Sequence, residues 1–287
     1  MTTLAEWWTR GAILDLDAHR ISTHVQGDGP TLVFLHGFPT SSHDWAEVIA
    51  DLSRDFRCVT FDYLGYGASD KPSDADYSSM VQTHRALAIL EKLGVRSATV
   101  VGHDLGGILL QQLLQLSANK SSRLTVDHAV FINSSVYADL YRPTPAQLAL
   151  ADPLHGPAIA AQLSRSTLEA SLAPLFPGHP LSEARADELW EAITLQDGQL
   201  LWPQQLIYMA ERTAHGAAWE DALHATSARL SFIYGLADPI SGAQVLGRVA
   251  TDLPKASRVG LPGLGHFPQV EAAFDVVRAL RSVLGTT

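Results

Sequence analysis

One cysteine stands among 287 residues. Cys58 has no partner for an internal disulfide, which fits a reducing compartment. Charge is scarce as well: Asp, Glu, Lys and Arg make up 17% of the chain, against a usual share of about 25%. With 46% hydrophobic residues, such a composition excludes intrinsic disorder. Cations are the rarer sign, 20 Lys and Arg against 30 Asp and Glu for a net charge of −10. No basic footprint for nucleic acid is therefore expected. Nowhere do roughly eighteen apolar residues run together, so no membrane span is expected. The first residues hold Glu6, Trp7, Trp8 and Arg10 rather than a basic region followed by an apolar run. No targeting leader is read there, and a cytoplasmic protein is expected.

What is present is alternation. Short apolar runs read as strands at Ile13–Asp17, Arg20–Gln26, Thr31–His36, Cys58–Asp62, Thr99–Gly102, Ala129–Asn133, Leu230–Tyr234 and Ser257–Leu261. Several carry Val, Ile, Phe or Thr throughout, as strands buried on both faces of a parallel sheet do. Helices are read between them at Asp44–Ser53, Ser79–Leu93, Leu105–Ser117, Ala243–Leu253 and Gln269–Val283. The fold class is therefore α/β, a mostly parallel central sheet flanked by helices. The alternation fails between about 135 and 226, where Pro143, Pro145, Pro153, Pro157, Pro174, Pro177, Pro180 and Pro203 all fall. That stretch reads as a helical cap inserted into a core made of 1–134 and 227–287. Insertions of this kind fall at the carboxyl ends of strands, where ligand sites lie.

The segment Gly102-His103-Asp104-Leu105-Gly106 carries the most chemistry. A strand ends at Gly102 and a helix begins near Leu105, which places Asp104 on the turn between them. A Gly-x-nucleophile-x-Gly turn needs small flanking residues because it is strained and tightly packed. It lifts one side chain to the positive end of the following helix. An ionised carboxylate there is a nucleophile that needs no base to activate it. Asp before a helix is also an ordinary N-cap, so the pentapeptide alone leaves two readings open.

With these residues the chain resembles the α/β-hydrolase superfamily, in the aspartate-nucleophile branch of epoxide hydrolases and haloalkane dehalogenases. Four motifs carry the resemblance in order: His36-Gly37-Phe38-Pro39, Asp62-Tyr63-Leu64-Gly65-Tyr66-Gly67, the Asp104 elbow and Gly263-Leu264-Gly265-His266-Phe267-Pro268. The Ser-Asp-Lys-Pro at 69–72 and Asp-Pro at 238–239 are similar to those of the mesoderm-specific-transcript proteins. The resemblance implies Asp104 as nucleophile, His266 as general base and Asp238 as the acid that orients it. An ordinary Asp-Pro turn is the plain alternative at Asp238. The oxyanion hole would be the backbone N–H groups of Phe38 and Leu105. His36, Asp62, Gly65 and Gly67 are read as structural.

What leaves in the first step separates the candidate activities. A ring-opened epoxide leaves an alkoxide that needs a phenol, and the resemblance offers Tyr208, with Tyr141 or Tyr137 as the first member of a pair. Packing tyrosines are the alternative. A halide needs N–H donors, and Leu105 and Phe38 stand where dehalogenases carry Trp and Asn. Cap indoles at Trp190, Trp202 or Trp219 would have to substitute. An epoxide hydrolase thus leads, with a haloalkane dehalogenase and a non-catalytic α/β-hydrolase-fold protein as alternatives. No Cys/His zinc cluster and no phosphate loop is seen, so no metal and no organic cofactor are expected. The expected partners are a small neutral apolar substrate and water, because the net negative charge disfavours anions. A homodimer is left open.

Overall fold

The computed structural model describes residues 2–119 and 121–286. Eight strands form one sheet: β1 (Ala12–Leu16), β2 (His19–Gln26), β3 (Thr31–Leu35), β4 (Arg57–Phe61), β5 (Ser97–His103), β6 (Thr125–Ile132), β7 (Arg229–Gly235) and β8 (Ser257–Leu261). Their spatial order is β1-β2-β4-β3-β5-β6-β7-β8. The pairs β1–β2 and β2–β4 are antiparallel, and every pair from β4–β3 onward is parallel. Leu16 faces His19 across the first hairpin, leaving Asp17 and Ala18 as a two-residue turn, both at positive φ. Such turns match the right-handed twist of the flanking strands.

Alternating side chains of the parallel strands enter two separate cores. Val33, Leu35, Val100, Ala129, Phe131, Phe232 and Tyr234 pack on one face with the helices Ser79–Lys92 and Leu105–Ala118. Leu32, Phe34, Val101, Val130, Ile132 and Ile233 pack on the other, with Trp7, Trp45 and the helices Ala46–Leu52 and Ala273–Leu284. Each fully buried Val, Leu, Ile or Phe contributes about 1.5–3 kcal/mol. Both faces are covered, which explains runs too apolar to alternate. Cys58 lies inside the second core, where burial pushes its thiol up to about 12.

Most boundaries shift by one or two residues from the sequence reading, and three departures have a physical cause. β6 begins at Thr125 rather than Ala129, because Asp127 points to Ser97 outside while Val126 and His128 are buried. The expected helix at Asp44 opens as a 3-10 turn, Ser42–Trp45, capped by Ser41. The last helix is interrupted at Ala272, whose φ of −151° and ψ of 68° separate Pro268–Glu271 from Ala273–Leu284. A further helix, Leu4–Arg10, carries a capping box from Thr3 and Glu6. Among the described residues, no strand lies between β6 and β7. That insertion contains the helices Pro145–Ala151, Gly156–Ala161, Arg165–Leu172, Glu183–Thr194, Trp202–Gln205 and Tyr208–Ala225.

Two glycines test how tightly the helices seat. A Cβ on Gly106 would lie 2.3 Å from the Leu35 carbonyl oxygen, whereas one on Gly247, exposed in the helix Ala243–Asp252, meets nothing within 4 Å. Gly106→Ala is expected to lower unfolding stability by about 1–3 kcal/mol. Gly247→Ala should raise it by about 0.5–1 kcal/mol. Urea midpoints check both, and a gain in Gly106→Ala would show that the close backbone contact is not tight.

Candidate active site

The carboxyl ends of β3, β5, β6 and β7 meet the insertion at one place, and the ionisable side chains gather there. β5 runs into Asp104, which has φ 48° and ψ −112° before the helix Leu105–Ala118 starts. A non-glycine residue so placed stores about 1–3 kcal/mol of strain. The turn closes because a Cβ on Gly102 would meet the Gly106 carbonyl oxygen at 2.5 Å, so only glycine fits. Asp104 occupies the N-cap position, yet its side chain makes no capping hydrogen bond. Its Oδ2 instead accepts from the Phe38 backbone N–H at 3.0 Å. The plain N-cap reading is thereby set aside. Leu105 is the first helical residue, so its N–H has no partner four residues back.

His266 lies on the loop after β8. Its Nε2 stands 3.7 Å from Asp104 Oδ1, too far for a hydrogen bond, and its Nδ1 is 2.8 Å from Asp238 Oδ2. Asp104, His266 and Asp238 are all at most 4% exposed. Burial alone would push the His266 imidazole down, but the charge and hydrogen bond of Asp238, with Asp104 and Asp44 behind, hold it above its usual value. Burial pushes the other way on Asp238, yet His266, Asn133 and the Ile240 N–H hold its carboxyl below the usual range. The Asp-Pro turn thus also carries a carboxylate bonded to an imidazole.

The sequence reading missed two supports, Asn133 and His103; His36, Asp62 and Gly67 it reads as structural. Asn133, at φ 39°, donates to Asp238 Oδ2 at 2.9 Å and exchanges two hydrogen bonds with the Gly235 backbone. An Asn closing a strand, a residue tolerant of positive φ, is a readable signal for such a post. His103 Nε2 is 2.7 Å from the His266 carbonyl oxygen, and burial pushes its ring down to about 3, so it is neutral. His36 stacks on Tyr63 at 4.0 Å and accepts from the Tyr63 N–H. Asp62 accepts from the Ser42 and Ala68 N–H groups, which makes it a loop anchor. Gly67 turns tightly over it at φ 49°.

The three tyrosines separate. Tyr208 is fully buried, and its Oη accepts from the Gln147 side-chain amide at 3.3 Å. Burial raises the Tyr208 phenol well above its ordinary value, and Tyr141 and Asp104 push the same way. Burial pushes Tyr141 up to about 12, and it too feels Asp104. Tyr137 lies apart, its ring 5.1 Å beneath the Arg248 guanidinium of the helix Ala243–Asp252. A cavity of about 40 Å³ touches His266, Phe38 and Ile240 from the core and Gln147, Leu172 and Trp202 from the insertion. A larger cleft, about 570 Å³, lies at the opposite ends of β6–β8 beside Ser231 and Lys255, without such a set of groups. Trp190 and Trp219 are not among the residues lining the small cavity. Among the described residues, no group of three or more His, Cys, Asp or Glu is placed to hold a metal ion. Nor is any helix among them long and apolar enough to cross a membrane.

An eight-stranded, mostly parallel sheet with an acidic elbow after β5 and a histidine after β8 defines a protein of the α/β-hydrolase fold. Residues 30–273 match the family profile described as alpha/beta hydrolase fold, and the chain belongs to that family. It is similar to LipZ of Mycobacterium tuberculosis, 35% identical over 259 residues that cover 90% of this chain and 89% of the relative. The mesoderm-specific transcript protein of Mus musculus is 32% identical over 288 residues, covering 96% and 86%. Shorter stretches match an epoxide hydrolase of Caballeronia sordidicola, 40% identical over 32% of this chain and 29% of the relative. They also match a haloalkane dehalogenase of Mesorhizobium japonicum, 36% identical over 40% and 36%. A solved α/β-hydrolase-fold structure from Burkholderia ambifaria superposes with TM-score 0.81 at 24% identity, covering 94% of this chain and 97% of that one.

The raised His266 value has a direct check. Asp238→Asn removes the neighbouring negative charge, so the imidazole should titrate at least about one pH unit lower. NMR titration of the His266 ring reads this. An unmoved midpoint would show that Asp238 does not control the base.

Proposed function

We propose that the chain hydrolyses its substrate through a covalent ester on Asp104, and that the substrate is a small apolar epoxide opened to a diol. The observation that carries the reading is the Asp104 carboxylate itself: buried, uncapped and 3.7 Å from a histidine already paired with a second carboxylate. Oδ2 rests on the Phe38 N–H, which leaves Oδ1 free to attack the epoxide carbon. The ring C–O bond breaks as the ester forms, and the departing oxygen takes a proton from Tyr208 or Tyr141. His266 Nε2 then removes a proton from water, whose oxygen adds to the Asp104 carboxyl carbon. The resulting oxyanion faces the N–H groups of Phe38 and Leu105. Its collapse releases the diol as His266 returns its proton to the departing alkoxide, and the proton left on the Asp104 carboxyl passes to the tyrosinate, which restores both groups. Asp238 steadies the imidazolium in between. The helical insertion acts as the cap, supplying both phenols and the apolar walls.

Two phenols within the field of Asp104 favour the epoxide over the halide, since an alkoxide must be protonated and a halide need not be. The partial match to an epoxide hydrolase agrees. Dehalogenation is the second reading: a haloalkane dehalogenase matches a similar share of the chain, and Trp202 lines the cavity with its ring 5.4 Å from Phe38. A single indole there would supply one N–H where two donors are missing.

Single turnover in 18O-labelled water discriminates among mechanisms. The label should enter Asp104, and the first product should carry unlabelled oxygen. Label found entirely in the first product would exclude the ester. His266→Gln should accumulate the ester, seen as substrate mass added to the peptide containing Asp104; absence of that mass with both epoxide and haloalkane panels would overturn the assignment. Tyr208→Phe should slow epoxide turnover at least about tenfold and leave haloalkanes unaffected. An unchanged epoxide rate removes Tyr208 from proton delivery.

A further inference from the structure

The helix Tyr208–Ala225 brings a second group to the site, one full turn beyond Tyr208. Arg212 is 3% exposed, and one of its terminal nitrogens donates to the Ser135 carbonyl oxygen. Its Nε and its other terminal nitrogen have no hydrogen-bond partner, and it enters no ion pair among the described residues. The guanidinium carbon stands 4.5 Å from the centre of the Tyr141 ring. The Tyr141 hydroxyl is likewise buried, and Tyr208 is the polar side chain that interacts with it. Two nitrogens of the Arg212 fork thus have nothing to donate to among the described residues, beside a buried phenol and a nucleophile whose charge reaches both.

Such a cluster is costly in the free protein. A buried guanidinium with no ion-pair partner loses its hydration and regains one hydrogen bond and the stacking on Tyr141. Buried polar groups in native proteins are almost always paired, so orphaned ones call for an explanation. Neither scaffolding nor proton transfer supplies it. A structural arginine would use its whole fork, and a guanidinium does not deprotonate in a protein. What fits a planar, permanent cation with two free donors beside a buried phenol is a planar group of anionic oxygens.

We propose that Arg212 and Tyr141 form a carboxylate-binding subsite, so that the electrophile attacked at Asp104 carries an acid group seated on the cap helix. The inference rests on the ester reading only in placing the substrate beside Asp104. It replaces the apolar epoxide of that reading with one that bears an acid group, leaves proton delivery to Tyr208 alone, and departs from the neutral substrate suggested by the net charge of −10, because local field, not net charge, decides what a pocket accepts. The subsite also divides the labour of the insertion. Arg212 holds the acid group in the ground state, whereas Tyr208 meets the oxygen that becomes negative during reaction.

Binding of propionate against propionamide, two probes of one shape that differ in charge, tests this without any turnover. Isothermal titration of the intact chain should show propionate binding roughly tenfold or more tightly. Arg212→Met should erase that preference, and Arg212→Gln serves the same purpose if the apolar variant does not fold. Asp104→Asn, which deletes the nearby negative charge, should strengthen propionate binding and leave propionamide unchanged. Equal binding of the two probes by the intact chain would overturn the subsite, as would a preference that survives in a folded Arg212 variant. An Asp104→Asn protein with unaltered propionate affinity would place the subsite away from the nucleophile. None of these readouts depends on ester formation, so failure of the subsite and failure of the covalent mechanism are told apart.

Discussion

Removal of three ionisable groups from water at one point governs the arrangement around them. Asp104, His266 and Asp238 are nearly inaccessible, and an unpaired buried charge costs several kcal/mol. The surrounding chain is organised to offset that cost. Asn133 and the Ile240 N–H attend to Asp238, the Phe38 N–H to Asp104, and His103 holds the backbone of His266. Each support comes from the end of a different strand or the loop after it. The sheet is in this sense a frame that delivers satisfied partners to one dry spot, and its own two-sided burial is what makes the spot dry.

The fold was largely legible from the chain because its signals are local and redundant. All eight strands could be read from runs such as Thr31–Leu35 and Leu230–Tyr234, where doubly covered strands leave no polar alternation. The shortfalls are equally physical. The start of β6 hides because Asp127 and His128 interrupt its apolar pattern, and His128 is satisfied only by Ser231 from the neighbouring strand. The break at Ala272 is a backbone event with no Gly or Pro at the residue itself.

The site divides in the same way. Asp104, Asp238 and His266 stand in short motifs, so their order along the chain was enough to bring them together. Asn133 and Arg212 could not be found like that, because what singles them out is the partner they have or lack across more than 70 residues of sequence. Tyr137 and Tyr141 illustrate the limit: four residues apart, one turns to Arg248 and the other to Arg212. The turn Ala138–Leu140 between them, a single 3-10 step, sends the two rings to different arginines.

The hydrogen bond from Asn133 to Asp238 joins the residue that ends β6 to the loop that leaves β7. The helical insertion leaves the sheet just beyond the first of these points, but it returns at the start of β7, at the other end of the parallel pair. The clasp therefore joins two strand ends without drawing on the insertion, and the chain crosses back along the helix Tyr208–Ala225. The entropy of closing so long a connection grows only slowly with its length. Helices there can be lengthened, lost or exchanged while the clasp keeps its geometry, and variation in this protein's relatives should concentrate in them.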